Sequence, residues 1–303
     1  MNPIDRFLHH FDPHPAWANA LRTGLCATLL VAILLLWEDF PMIYGANRFV
    51  DTPLLALKQD FPAIVLGPFT QHLALVIYAA SCIAVLMGYW RRTALALLLI
   101  LHQLIFTGNT LFAYGFDYLA ASALYYAFLI PANPVSSWHS PLLRVVQLHL
   151  CAVYAVGGIN KAFGAGWWDG TALWKAVIQP GYPGISISIM EQLPGACWVL
   201  GGWLVVVIEL TYPILIWRSA ARKRFLWLIM SLHAAIGLLM GLYLFSALMI
   251  ALNIAAFHYP YLPLAKQCIP SILPMVKPLR AQTLSSETPA ETSEADTNTP
   301  QNA

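Results

Sequence analysis

The sequence predicts an all-α protein: a polytopic integral membrane helical bundle of about eight transmembrane helices, with an interfacial helical segment on its outer side. Three observations carry that prediction. The chain is 59% hydrophobic and only 10% charged, with a mean hydropathy of +0.65, whereas soluble domains carry about 25% charged residues. Its apolar residues fall in runs close to the ~20-residue length that crosses a bilayer. Its basic residues gather at alternate ends of those runs, as topology in a membrane demands.

The elements follow in chain order. The start, "MNPIDRFLHHFDPHPAWANALRTG", is polar and carries acids, and the apolar run after Arg22 is long. A cleavable signal has a short apolar core and a small-residue cleavage site, so 17–37 reads as an uncleaved first span. Residues 38–69, with "PMIYGANRFVDTPLLALKQDFP", read as an outer amphipathic segment lying in the interface. Spans are then expected at 70–90, 93–112, 116–131, 142–161 and 196–217. Between the last two, 162–195 holds "WWDGTALWKAV" and "PGYPG". Asp169 is placed to cap a short helix beginning near Gly170, and Trp167, Trp168 and Trp174 suit a membrane–water boundary. The final apolar run, about 35 residues, is too long for one span and folds into a hairpin near Gly241–Tyr243, giving spans 225–241 and 244–258. The transmembrane domain is thus 1–262. Residues 263–303 are a proline-containing cytoplasmic segment and a polar tail too poor in apolar residues to fold.

The basic residues set the orientation. With the N-terminus inside, Arg6, Arg22, Arg91, Arg92, Arg144, Arg218, Arg222, Lys223, Arg224, Lys266, Lys277 and Arg280 lie on the cytoplasmic side, and Arg48, Lys58, Lys161 and Lys175 on the other. The expectation is a bacterial inner-membrane protein with both termini cytoplasmic. A scattered net charge of +2 excludes a nucleic-acid partner. The five cysteines are odd in number and form no CxxC pair, which excludes a disulfide framework and a zinc site. The chain has no Gly-rich phosphate loop, haem motif, HExxH pattern or evident repeat. No covalently bound cofactor and no metal are therefore expected.

Ionisable groups inside spans are costly and point to function by default. His102, His149, Glu209 and His233 each fall roughly 10–14 Å from the cytoplasmic end of their helix at ~1.5 Å per residue. They are expected to share one depth and meet in the bundle interior, with His233 and Glu209 as the contacting pair. The bland alternative is that each only ties its helix to a neighbour. A second, outer layer gathers Asn109, Asp117, Asn160, Lys161 and Asp169. Tyr154, Gly157, Gly158 and Lys161 are spaced i, i+3, i+4 and i+7, so they share a helix face on which a second helix or a flat ligand can come close. Against a functional Lys161 stands plain snorkelling to water, and against a functional Asp169, plain capping.

The stretch "LHLCAVYAVGGINKAFGAGWWDGTALWKAV", 148–177, resembles the core signature of the horizontally transferred transmembrane (HTTM) domain. That domain is shared with the membrane portion of vitamin K-dependent gamma-carboxylases. "FTGNTLFAYGFDYLAASALYYAFLIP" (106–131) is similar to the family's polar turn before an apolar helix ending in proline. "SLHAAIGLLMGLYLFSALMIALNIAAF" (231–257) is similar to its His-bearing penultimate helix and last span. The resemblance implies that Lys161 stands where the carboxylases carry the base that starts vitamin K epoxidation. It also implies a quinone, reduced vitamin K-like, as cofactor or substrate. It does not extend to the carboxylases' luminal β-rich region, so carboxylation of glutamate is not among its implications.

Two functional classes follow. In the first, the protein acts on a quinone or lipid-like molecule with Lys161 as base, and Tyr154, Asn160, Trp168, Asp169, Asn109, His102, Glu209 and His233 contact the substrate. In the second, it is a non-enzymatic membrane assembly, export or transport partner. Membrane lipid, and a small hydrophobic substrate or a membrane protein, are the expected partners.

Overall fold

The computed structural model describes residues 5, 7–8, 13–44, 67–107, 113–133, 136–179 and 190–262. Contacts divide the chain into a unit Met1–Leu264 and a unit Ala265–Ala303, and everything described lies in the first. Most of the expected interfacial segment, the "PGYPG" stretch and the tail fall outside the described residues.

Among the described residues the fold is all helix. Helix α1, Ala16–Leu36, buries Trp17, Leu21, Leu25, Leu29 and Ile33, a stripe at four-residue spacing. A short helix α2 covers Phe40–Tyr44. Helix α3, Pro68–Met87, starts on a proline and stops at Gly88, whose φ of 84° is a left-handed cap. Helix α4, Arg91–His102, runs on into a π turn at Gln103–Thr107. Helix α5, Gly115–Leu129, begins where the Asp117 carboxylate accepts the Tyr114 N–H at 3.0 Å, and it ends just before Pro131, as the residue preceding a proline leaves the helical region. Helix α6 is His139–Phe163, α7 Ala165–Trp168 and α8 Thr171–Val177. Helices α9, Gly195–Leu215, α10, Ser219–Met240, and α11, Tyr243–Phe257, complete the bundle.

Six of these helices, α1, α3, α6, α9, α10 and α11, are long and apolar enough to cross a membrane. Their outward residues, such as Leu34, Leu35, Leu200 and Ile214, are apolar and exposed, which lipid tolerates as well as a core does. The architecture is that of a multi-pass integral membrane protein. The expected spans 93–112 and 116–131 correspond to the shorter α4 and α5. The hairpin expected near Gly241–Tyr243 is present: Gly241 sits at φ 72° between α10 and α11.

Arginines tie one end of the bundle together. Arg22 donates to the main-chain oxygens of Ala127 and Ile130, the latter at 2.8 Å, capping α5. Arg222 donates to Ile216 and Trp217 oxygens past the end of α9 and stacks over the Tyr261 ring at 3.5 Å. Arg144 donates to Phe7 and Gln147. Cations on unpaired helix C-terminal carbonyls satisfy both the hydrogen bonds and the helix dipole.

Candidate functional site

The face shared by Tyr154, Gly157, Gly158 and Lys161 packs against α9. A side-chain carbon at Gly158 would stand 2.9 Å from the Leu210 nitrogen and 3.1 Å from the Glu209 carbonyl carbon, so only glycine permits this approach. Gly157 leaves room of another kind. A carbon there would lie 3.1 Å from Glu209 Oε2 and 3.5 Å from Lys161 Nζ. Into that room Lys161 Nζ donates to Glu209 Oε2 at 2.7 Å.

The position of that ammonium decides between two behaviours of a lysine near a helix end. A snorkelling lysine runs outward to water. Lys161 instead lies level with Gly157, one turn back along its own helix, as the N-terminal tilt of helical side chains allows. Its side chain is 24% exposed and that of Glu209 11%. The Trp167 ring stands 5.3 Å from the ammonium and covers it on another side.

One helical step deeper lies a buried polar chain. Tyr212 donates to Asn253 Oδ1 at 2.7 Å, and Asn253 Nδ2 donates to the Tyr154 oxygen at 2.9 Å and to the Met249 carbonyl. The Tyr154 hydroxyl also shares a hydrogen bond with His233 Nε2, 2.7 Å away. The rings of Tyr154 and Tyr212 stack with centroids 3.9 Å apart. His233 Nδ1 and the Ser246 hydroxyl are buried without a hydrogen-bond partner among the described residues.

The expectation of one contacting mid-membrane layer is corrected. Glu209 pairs with Lys161 and His233 with Tyr154, not with one another. The physical reason is that the glycine face of α6 draws α9 into closer contact than the short α9–α10 connection does. His149 bonds the Tyr126 hydroxyl at 2.8 Å. His102 bonds the Tyr78 hydroxyl at Nδ1 and the Asp117 main-chain oxygen at Nε2, both at 2.9 Å. The expected outer layer is dispersed as well. Asp117 caps α5, and Asp169 accepts the N–H and hydroxyl of Thr171 at 2.9 and 2.6 Å, which starts α8. That hydroxyl, with the N–H, holds the Asp169 carboxyl below the usual carboxylate range. Asn160 is exposed, off the glycine face. Trp168 is 44% exposed and donates to the Ala162 carbonyl, so the ring beside Lys161 is Trp167. Asn109 lies outside the described residues.

A cavity of about 320 Å³ opens elsewhere, between α1, α2, α3, α4, α5 and the start of α11. His102, Tyr78, Tyr114 and Asp117 supply the polar part of its lining, and residues such as Leu29, Ile33 and Phe106 the apolar part. Lys161 is not among its lining residues. Tyr78, Tyr212 and Asn253 were not singled out by sequence; the available signal was a lone amide in the apolar run "MIALNIAAF". No group of three or more His, Cys, Asp or Glu side chains suited to a metal occurs among the described residues.

No family model matches the chain, and no curated protein or solved structure shows significant similarity to it.

Proposed function

We propose that this is a bacterial inner-membrane protein of the HTTM type, crossing the membrane about eight times with both ends cytoplasmic, and that it acts on a quinone or other lipid-like molecule with Lys161 as base. The observation that carries the proposal is the inward turn of the Lys161 ammonium onto Glu209 at 2.7 Å. Moving one proton from the ammonium to that carboxylate leaves a neutral amine with a free lone pair. The amine can then take a proton from an acidic O–H or C–H of the substrate, while Glu209 holds the first one. Trp167 offers a flat apolar wall beside the amine.

The test is complementation of whatever phenotype the deletion strain shows, at matched protein level. Lys161→Arg keeps a cation for Glu209 but stays protonated, because the guanidinium pKa lies above about 12. This variant is therefore expected to fail. Full complementation by it would remove Lys161 from catalysis.

A specific observation favours the second reading, a non-enzymatic membrane module. The buried His102 and His233 and the half-buried His149 each bond a tyrosine of another helix, which is how polar groups hold helices together in lipid. Under that reading Lys161→Arg complements.

A further inference from the structure

The end of the bundle where α1 starts and α5 stops gathers three guanidiniums without a counter-charge. Arg22 donates to the Ala127 and Ile130 oxygens. Arg92 lies over the Phe128 ring, 5.6 Å from its centroid. Arg91 curls back over the α3–α4 turn, its Nη2 3.0 Å from where a side-chain carbon on Gly88 would stand, and it is the like-charged neighbour of Arg22. Among the described residues no carboxylate pairs with any of the three; the ion pair there is Lys161–Glu209. Glu38 and Asp39 follow the far end of α1, and Asp117 lies in the opening turn of α5.

This surplus of charge is costly. Arg22 is 9% exposed, and a buried charge is stable only with a partner. The dipole at the end of α5 supplies about half a unit of negative charge, against three positive units. Arg91 and Arg92 also occupy the first turn of α4, where the helix dipole disfavours cations. An anion from outside the chain balances the group.

Depth says which anion. The patch lies where α3, long and apolar enough to cross a membrane, stops at Met87. Tyr89 and Trp90, next to the arginines, are 54% and 86% exposed, and such rings settle at the level of lipid headgroups. Guanidinium forks match phosphate oxygens in geometry as well as charge. We propose that Arg22, Arg91 and Arg92 form a headgroup site for an anionic phospholipid. Arg91 and Arg92 engage the phosphate, and the buried Arg22 adds its charge from behind. A zwitterionic lipid brings the same phosphate but offsets it with its own ammonium, so it binds less tightly. The site requires only that the bundle lies in a membrane; neither the role of Lys161 nor the number of crossings enters.

The experiment titrates the full-length protein in detergent with phosphatidylglycerol and phosphatidylcholine of identical acyl chains, counting bound lipid by native mass spectrometry. The expected result is a preference for phosphatidylglycerol of about tenfold or more at the first lipid bound. Arg91→Gln/Arg92→Gln changes two exposed side chains and should bring the preference below about threefold, while phosphatidylcholine binding, which reports an intact fold, is retained. Lys223→Gln/Arg224→Gln removes two exposed cations from the first turns of α10 and should leave the preference intact. A native protein without preference, equal losses in the two double variants, or loss of both lipids alike in Arg91→Gln/Arg92→Gln would each overturn the site, the second by showing only diffuse attraction to a basic surface. Displacement of phosphatidylglycerol by millimolar inorganic phosphate would overturn it too, because the occupant would then be a free anion.

Discussion

At the residue scale the informative pair is Lys161 and Glu209. Removing one member of a buried pair leaves a charge without a partner, at a cost of about 3–5 kcal/mol when fully buried, against about 0–1 kcal/mol for an exposed pair. With side chains 24% and 11% exposed, the pair lies between these limits. Glu209→Gln is therefore expected to lower the thermal midpoint in detergent clearly, and Lys161→Met to do the same. The double variant Lys161→Met/Glu209→Gln should recover most of the loss, because it removes both charges together. Additive losses would show that the two residues act separately. A parallel expectation holds for Tyr154→Phe. It removes the acceptor of Asn253 Nδ2 and the hydrogen-bond partner of His233 Nε2, costing roughly 1–3 kcal/mol for each group left unmatched. A variant as stable as the native protein would mean that water fills the gap.

At the element scale the sequence showed the glycine face but not its partner. The i, i+3, i+4, i+7 spacing of Tyr154, Gly157, Gly158 and Lys161 is visible in one dimension, because helical periodicity is a local property. That α9, and not another helix, docks there is a property of the whole bundle. No local pattern shows that Lys161 folds back one turn to reach Glu209. The hairpin at Gly241 was readable for the opposite reason: an over-long apolar run with a glycine at its middle has few ways to fold. The two glycines predict a graded test. Gly158→Ala drives a carbon against the Glu209–Leu210 backbone, which cannot swing away, so α6 and α9 must separate, at about 1–3 kcal/mol. Gly157→Ala meets the end of the Glu209 side chain, which can move, so its cost is smaller and falls on the ion pair. Gly195→Ala, with nothing within 4 Å, is the control and should be neutral. Thermal midpoints in the order Gly195→Ala, Gly157→Ala, Gly158→Ala from highest to lowest check this; a harmless Gly158→Ala contradicts the close packing of α6 on α9.

At the scale of the whole molecule the number of membrane crossings turns on α4 and α5. The six long helices leave α4 and α5 as a pair whose inclusion changes the count by two and the sidedness of every other helix by nothing. The asymmetry of basic residues therefore agrees with either count. Arg22 on the end of α5 agrees as well, since a shallow hairpin and a full crossing both bring α5 back to the end where α1 starts. Length separates them poorly. Helix α4 with its π turn has 12 and 5 residues and α5 has 15, roughly 25 and 22 Å at ~1.5 Å per residue. A full crossing is about 30 Å. A thin local bilayer, or polar termini drawn to the interface, closes a gap of that size at modest cost. The proposed topology places residue 110, between α4 and α5, on the outer side. Thr110→Cys should then react with a membrane-impermeant maleimide on intact spheroplasts. Because Cys197 is itself exposed near the start of α9 and Cys268 belongs to the expected cytoplasmic segment, the background carries Cys197→Ser and Cys268→Ser. Residue 110 labelled only after the membrane is opened would make α4 and α5 a re-entrant pair, leaving the six long helices as the spans and the same end of the bundle inside.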